Sequence, residues 1–408
     1  MTALPDRNAA LAFTLAAAPP GFAADPYPWY AALREHDPVH ALAPGVFLLT
    51  RYDDVAAVYR SAAVSSDKRR EFGPKFGLGT PLFEHHTTSL VFNDPPLHSR
   101  VRRLLMGALS QRAIARMEAD VIALVEGLLD AMQARGPQAD LIEDFAAQIP
   151  VEVIGNLLAI PHEDRGPLRA WSLAILSALE PAPNAALLAR GHAAVSAFAG
   201  HLEGLIAQRR REPGDAQSDV LTRLIEGEID GERLSHTELL HNCIFLLNAG
   251  HETTTNLIGN GVHALLTQRS EYERLQNDPS LLPTAIEDLL RFESPLQLNN
   301  RVTIAPLTLA GREIAPGSFL TLAIGAANRD PAQFKQPDRL DIGRKPNLHL
   351  AFGHGAHACA GMNVARLEAR IAIGALVRRF PGLMLAAPPE RDPRLRFRGF
   401  RRLPVRWA

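Results

Sequence analysis

The chain has 408 residues, a formal net charge of −1 at pH 7 and 47% hydrophobic residues. This length allows two or three domains, or one large fold with a sizeable core. The near-zero charge argues against nucleic acid or an anionic membrane as the main partner, because both require a strong basic excess. The apolar content excludes a largely disordered chain.

The two cysteines, Cys243 and Cys359, are too far apart and too few to form a disulfide framework, which indicates a reducing compartment. No apolar run reaches the roughly 18 residues that a membrane span requires. The apolar stretch 9–18 contains Thr14 and lacks a clear cleavage pattern, so we interpret it as an amphipathic turn or a flexible terminus. The sequence therefore predicts a cytoplasmic protein with no membrane partner.

Apolar residues recur at helical spacing through most of the chain. The predicted helices are, in chain order, 96–109, 114–133, 185–211, 235–268, 284–292 and 362–380. The predicted strands are 46–50, 302–309 and 319–324, and two long connections, 72–92 and 180–184, are either binding loops or plain surface loops. The pattern predicts a mainly α protein: one large helical domain over 1–408 with a small accessory β-sheet and a short N-terminal tail over about 1–24.

The segment 352–361 places one cysteine in a glycine-rich loop directly before a predicted helix. Cys359 therefore stands at a helix N terminus, where free amide groups and the helix dipole stabilise a thiolate. Three interpretations are open: a structural cysteine, a zinc or non-heme site with His349, His354 and His357, or thiolate ligation of heme iron. The glycines let the backbone pass close to a flat, bulky group, which suits a porphyrin face better than a zinc site.

The pattern Phe352-x-x-Gly355-x-x-x-Cys359-x-Gly361, with His357 two residues before the cysteine, resembles the heme-binding signature of the cytochrome P-450 family. The flanking segments 327–331, 337–339 and 365–368 resemble the family too, and the resemblance extends from about Asp25 to the C terminus. It implies the P-450 fold, heme b as the cofactor and Cys359 as the axial ligand of the iron.

A long helix is predicted to begin at the capping box Ser235-His-Thr-Glu238. Its middle contains Gly250 and three threonines, which lower helix stability and predict a local opening. Taken alone, this is best explained as a packed core helix. Beside the cysteine loop, however, Ala249-Gly250-x-Glu252-Thr253 resembles the oxygen-binding motif of the family. The resemblance implies that Thr253 holds a water and that Glu252 relays the protons that splitting dioxygen requires.

Heme carries two propionates, which need cationic or hydrogen-bonding partners. His98 and Arg102 are four residues apart and share one face of a predicted helix. Together with Arg301 and His357, they match the positions that bind propionates in bacterial members of the family. The alternative for each residue, taken singly, is a solvated surface charge.

One segment departs from the family pattern Glu-x-x-Arg. Asp288 stands at the glutamate position, three residues before Arg291, and Glu287 is one residue early. In the family, the glutamate and arginine form a buried network with a later arginine, which Arg339 matches here. We expect either Asp288 or Glu287 to pair with Arg291.

The resemblance also indicates residues beside the substrate: Leu90, Phe245, Asn248, Leu298 and Phe400. All but Asn248 are apolar, which predicts a small, mainly hydrophobic organic substrate. Asn248 is expected either to bond the substrate or to cap a neighbouring helix.

No flavin or iron–sulfur domain and no dinucleotide-binding motif is apparent in the sequence. We therefore expect electrons from NAD(P)H through a separate ferredoxin or flavodoxin with its reductase. Six basic residues are either a docking face for this partner near the cysteine or ordinary scattered surface charge: Arg100, Arg103, Arg112, Arg344, Lys345 and Arg366.

Together these features predict a monomeric heme-thiolate monooxygenase that inserts one atom of O2 into its substrate. Three alternatives are weighed against it: a peroxide-driven peroxygenase of the same fold, a non-catalytic heme binder and a heme-free metal-binding protein. The acid–threonine pair, Glu252 and Thr253, argues against the peroxygenase.

Overall fold

The computed structural model describes residues 5–215, 219–229 and 232–407. Its helices are α1 Arg7–Leu11, α2 Tyr27–His36, α3 Tyr52–Arg60, α4 Arg69–Phe76, α5 Pro81–Thr88, α6 Leu97–Ala108, α7 Gln111–Arg135, α8 Gln148–Leu157, α9 Leu168–Ser177, α10 Ala185–Arg211, α11 Val220–Glu226, α12 His236–Thr267, α13 Arg269–Asn277, α14 Leu282–Phe292, α15 Ile324–Ala327 and α16 Met362–Arg379. Across the described ranges, no helix is both long and apolar enough to cross a bilayer.

The strands are short. They are β1 Val39–Ala43, β2 Val46–Leu49, β3 Val64–Ser65, β4 Gln138–Asp140, β5 Glu228–Ile229, β6 Glu232–Arg233, β7 Leu298–Thr303, β8 Leu307–Leu309, β9 Arg312–Ile314, β10 Phe319–Ala323, β11 Met384–Leu385, β12 Glu390–Arg391, β13 Phe400–Arg402 and β14 Pro404–Arg406. The largest sheet has the order β1-β2-β10-β7-β3, with β10 parallel to β2 and antiparallel to β7. A mainly helical fold with a small sheet is confirmed.

The predicted strand 302–309 is wrong in its extent. It is divided between β7, which ends at Thr303, and β8, which begins at Leu307. Pro306 lies between the two strands and has no amide hydrogen for a sheet ladder. The same division places Arg301 inside β7, opposite Leu320 of β10.

The long helix α12 begins where the sequence predicts. The Glu238 amide donates to Ser235 Oγ at 3.2 Å, and the Ser235 amide donates to Glu238 Oε2 at 2.8 Å. At 1.5 Å per residue, α12 is about 48 Å long and crosses the fold. The predicted local opening is wrong, because α12 continues without a break through 249–255. Thr253 and Thr255 donate to carbonyls four residues earlier, at 2.9 and 3.0 Å, which satisfies both hydroxyls within the helix.

The N-terminal segment is packed into the fold. Phe13 and Phe22 are buried with ring centroids 5.1 Å apart, and Phe22 meets Tyr30 of α2 edge to face at 5.6 Å. These residues form an apolar cluster with β2, β7 and α15, which we call the N-terminal cluster. Within the described residues, the predicted short tail is therefore part of the core.

The connection 72–92 contains helical structure that the sequence analysis missed. Most of α4, all of α5 and a 3-10 turn at Leu90–Phe92 lie within it. These three elements pack through aromatic rings. The centroid of the His86 ring lies 5.5 Å from that of Phe72, 5.3 Å from that of Phe76 and 5.4 Å from that of Phe92. The spacing of Phe72 and Phe76 by four residues was the available signal, which Gly73 and Pro74 obscured.

Candidate active site

The cysteine loop is shaped by one backbone hydrogen bond and two glycines. The Cys359 amide donates to the Phe352 carbonyl at 2.9 Å and closes the loop. Gly353 and Gly355 have φ angles of +66° and +72°, which disfavour other residues. A Cβ at Gly355 would also lie 2.5 Å from the Tyr59 carbonyl oxygen. This close approach to α3 fixes the loop ahead of α16.

The surroundings of Cys359 act in opposite directions on its thiol. Burial raises the pKa of the Cys359 thiol, while a hydrogen bond from the Gly361 amide and the charges of Arg102 and Arg366 lower it. The Arg366 guanidinium lies 4.7 Å from the centroid of the Phe352 ring. Burial is the largest of these effects, so the pKa of the Cys359 thiol lies above its usual value. The amide and the two arginines offset part of the cost of ionising it.

The four side chains predicted to hold propionates lie together. The rings of His98 and His357 are 3.9 Å apart. Burial, followed by the nearby His98 and Arg301, lowers the pKa of His357 to about 3, and Arg102 acts in the same direction. The cluster therefore has several hydrogen-bond donors and positive charges close together.

His98 shows whether a cofactor that carries carboxylates fits this cluster. Its ring is 2% exposed, yet neither ring nitrogen has a hydrogen-bond partner among the residues that the structure describes. Arg301 is also buried: its Nη1 donates to the Asn300 carbonyl at 2.8 Å, and its guanidinium lies 5.3 Å from the Tyr59 ring. Buried donors without acceptors are costly, and propionate groups would supply the acceptors. The residues present therefore fit heme.

One face of α12 is less buried than the rest of the helix. The helix is buried along most of its length, but Ala249 is exposed and Phe245 and Thr253 are partly exposed. These three residues are four apart and form one stripe, which we call the open stripe. Gly250 is not part of it: a Cβ there would lie 2.7 Å from Cδ1 of Ile154 in α8. This glycine therefore lets α12 and α8 approach each other closely.

Glu252 is buried and ion-paired. Its Oε1 accepts hydrogen bonds from Arg394 and, at 3.0 Å, from Asn256 Nδ2. Arg394 Nε also bonds Asp392 at 2.9 Å. The sequence analysis missed Arg394, because four arginines lie within 391–398 and no local pattern tells which one reaches α12.

The predicted substrate residues are only partly brought together. Leu90 is buried against α12, where its amide donates to Asn242 Oδ1 at 3.0 Å. Asn248 contacts a neighbouring helix, with its Nδ2 donating to His85 Nε2 of α5 at 3.2 Å. Phe245 lies on the open stripe beside them.

Two of the predicted substrate residues lie away from the open stripe. Leu298 is fully buried in the N-terminal cluster, away from the open stripe. The Phe400 ring stacks 4.8 Å from His263, ten residues beyond Thr253 and so about 15 Å further along α12. Both residues were predicted from the resemblance to substrate-facing segments of the family, and the side-chain direction set by the strands was not visible in the sequence.

The hydrogen bonds of Arg291 show that Asp288, and not Glu287, is its carboxylate partner. Asp288 and Arg291 are fully buried and joined by hydrogen bonds of 2.5 and 3.2 Å. Arg344 Nε adds a third bond to Asp288 at 2.9 Å. Arg339 does not contribute the predicted guanidinium: it accepts from Arg291 through its carbonyl at 3.0 Å, and its side chain is exposed. Arg344 therefore takes the place expected of Arg339.

Glu287 has different partners. Its carboxylate bonds Arg366 at 2.7 and 2.8 Å and His349 at 3.1 Å. Burial opposes its ionisation, but the hydrogen bonds from His349 and Arg366 outweigh it and lower the pKa of Glu287 to about 2. Since Arg366 also covers Phe352, Glu287 links α14 to the cysteine loop.

The heme-free metal site is not formed. His349 is bonded to Glu287 and His354 is exposed. In the described ranges, no three His, Cys, Asp or Glu side chains are placed to hold a metal ion. The proposed basic face is also weaker than the sequence indicates, since Arg100, Arg344 and Arg366 each pair with a carboxylate.

Comparisons with known proteins agree with this geometry. The family model described as Cytochrome P450 matches residues 174–403. Vitamin D(3) 25-hydroxylase of Pseudonocardia autotrophica is 40% identical over 93% of this chain and 93% of its own length. Cytochrome P450 107B1 of Saccharopolyspora erythraea is 39% identical over 94% of this chain and 96% of its own. The crystal structure of P450BioI in complex with an acyl carrier protein superposes with a TM-score of 0.89 and 34% identity, over 95% and 99% of the two chains.

The chain belongs to the cytochrome P450 family. It is a P450 monooxygenase with the P450 fold, and its cofactor is protoporphyrin IX heme. The predicted family, fold class, enzyme class and cofactor are confirmed.

Proposed function

We propose that this monooxygenase inserts one atom of O2 into a small, mainly hydrophobic organic substrate, with electrons from NAD(P)H through a separate ferredoxin or flavodoxin and its reductase. The bound heme supplies the redox chemistry that activates dioxygen. The observation that carries the proposal is the open stripe of α12. It is a partly exposed apolar face with one hydroxyl, inside a fold whose α16 begins three residues after Cys359.

Cys359 is the proposed axial ligand. The Gly361 amide and the charges of Arg102 and Arg366 favour its thiolate form, and its own amide is held by Phe352. His98, Arg102, Arg301 and His357 are the proposed partners of the propionates, because their donors are concentrated in one place and those of His98 lack acceptors among the described residues.

Thr253 is the proposed proton donor site. Its hydroxyl hydrogen is committed to the Ala249 carbonyl at 2.9 Å, so its oxygen is left to accept a hydrogen bond from a water at the open stripe. That contact holds the water in position to deliver a proton. Glu252 is the proposed relay, and Arg394 and Asp392 connect it to the chain beyond α16.

The substrate proposal rests on the residues around the open stripe. Phe245, Ala249 and Leu90 are apolar, and one relative with a similar sequence is named as a hydroxylase of vitamin D(3). Apolar contacts of this kind bind hydrophobic molecules but do not discriminate between them.

The redox partner is proposed to dock beside the cysteine loop. A surface groove of about 390 Å³ lies between α7, α14 and α16, and it is lined by Ile114, Glu118, Glu287, Arg366 and Arg370 among others. Its mixed charge suits a transient, electrostatically oriented complex. We place the enzyme in the cytoplasm, in keeping with its cysteine content. We also propose that it is a monomer of one domain.

The test is turnover of the purified holoenzyme under isotopically labelled dioxygen with a surrogate ferredoxin, its reductase and NADPH. We expect product that carries one labelled oxygen atom, and no product when the ferredoxin is omitted. Product that forms only when hydrogen peroxide is supplied, or that carries unlabelled oxygen, would instead identify a peroxygenase.

A further inference from the structure

A buried polar pair lies beside the open stripe, where α5 packs on α12. Asn248 is 3% exposed and stands about 60° round the helix from Phe245. Its Nδ2 donates to Nε2 of His85, which is 1% exposed, at 3.2 Å. In the turn that follows α5, the Leu90 amide donates to Oδ1 of Asn242, which also lies on α12.

The pair is not satisfied by its own hydrogen bond. Asn248 Oδ1 and His85 Nδ1 are both buried, and neither has a partner in the part of the chain that the structure describes. If Nε2 accepts from Asn248, then Nδ1 carries the proton, and the pair is left with one donor and one acceptor. If the amide is turned over, His85 donates to Asn248 and the two remaining roles are exchanged. In both orientations one donor and one acceptor remain.

The pair is also uncharged. Burial, with His86 and His241 nearby, holds the pKa of His85 well below its usual value, so the ring is neutral at neutral pH. A carboxylate offers only acceptors and an ammonium only donors, and an alkyl group offers neither. A hydroxyl supplies one donor and one acceptor, which is the complement that the pair lacks.

We propose that His85 and Asn248 recognise a hydroxyl group on the otherwise hydrophobic substrate, which therefore is a neutral alcohol. The hydroxyl enters beside the open stripe and bridges the two side chains, so that their direct contact opens by about the width of one oxygen atom. This rests on the proposed function and narrows it, because a site built to bond a hydroxyl discriminates strongly against the analogue without it.

The test uses probes that bind the heme without needing the natural substrate. A series of N-alkylimidazoles of increasing chain length, and the matching compounds with a terminal hydroxyl, is titrated into the holoenzyme by following the Soret shift. The imidazole nitrogen binds the heme iron, and the N-alkyl chain extends towards His85 and Asn248. At one or two chain lengths we expect the hydroxyl compound to bind about 10-fold more tightly than its alkyl partner.

The variants Asn248→Leu and His85→Phe should each reduce this preference to about 2-fold or less, with alkyl binding unchanged. His86→Phe is the matched control: the same substitution at the next residue, in a ring that packs among Phe72, Phe76 and Phe92. It should keep the preference.

Two results would overturn the inference: no chain length favours the hydroxyl, or the preference survives in both variants. If the wild type has no hydroxyl preference and the variants unfold at a lower temperature, the pair serves only to join two helices. Failure of the proposed function is seen separately, since a protein without heme gives no Soret shift with any imidazole.

Discussion

Replacing Asp288 by alanine is expected to be among the most damaging single changes to the stability of this fold. The carboxylate is fully buried and accepts hydrogen bonds from Arg291, Arg344 and the Asp341 amide, the last at 2.7 Å. Its loss leaves the fully buried Arg291 guanidinium with backbone carbonyls but without its counter-charge. Breaking a buried pair of this kind costs about 3–5 kcal/mol, out of a total stability of about 5–15 kcal/mol.

Glu287→Ala is the matched comparison. It removes a carboxylate one residue away, but the Glu287 side chain is 27% exposed and its partner Arg366 is 36% exposed. Solvent screens this pair, so its loss is expected to cost about 1 kcal/mol or less. Asp288→Asn, which keeps the size of the side chain and removes the charge, should fall between the two alanine variants.

Urea unfolding and the heme content of the purified protein measure the effect. We expect Asp288→Ala to be heme-depleted with a strongly lowered unfolding midpoint, and Glu287→Ala to resemble the wild type. The opposite ranking, or an Asp288→Ala protein within about 1 kcal/mol of the wild type, would refute the assignment of the buried network.

Two further predictions concern α12 and α14. Thr253→Ala should retain heme and substrate binding, but product formed per NADPH should fall roughly tenfold while released hydrogen peroxide rises. Thr255→Ala is the matched control, because the Thr255 hydroxyl makes the same kind of bond, to the His251 carbonyl, away from the open stripe. An unchanged coupling ratio would remove Thr253 from proton delivery. The pKa of Glu287 is lowered to about 2 from its usual 4.5, so its ion pairs stabilise the fold above pH 4.5 and lose this effect as the pH falls towards 2. The stability difference between wild type and Glu287→Gln should therefore shrink over that interval, and a constant difference would contradict the assignment.

The local features of the fold were predictable because each has a short-range physical cause. The predicted helix 185–211 coincides with α10, whose N-cap Asn184 accepts from the Leu187 amide at 2.9 Å. The capping box of α12 and the positive φ angles of Gly353 and Gly355 follow in the same way from residues that are close in sequence.

The contacts that the sequence did not show join residues far apart in the chain. In each case several similar side chains were candidates for the same partner. Arg344 and Arg339 lie in one irregular segment, and only the folded backbone turns the first towards Asp288 and leaves the second exposed. The same holds for Arg394, which reaches Glu252 from a segment with three other arginines. The strand of Phe400 turns its ring towards His263, and this direction depends on a strand register that the sequence does not show.

Cys359 is proposed to be the one protein ligand of the heme iron, through its thiolate. The most direct measurement is the absorbance spectrum of the reduced, CO-treated holoenzyme, compared between the wild type and Cys359→His. The wild type is expected to show the strongly red-shifted Soret band of thiolate-ligated heme, and the variant is expected to retain heme without that band. A wild type without the red-shifted band, or a Cys359→His protein that keeps it, would contradict the assignment. In the latter case the fully buried Cys243 would be the remaining thiol to examine.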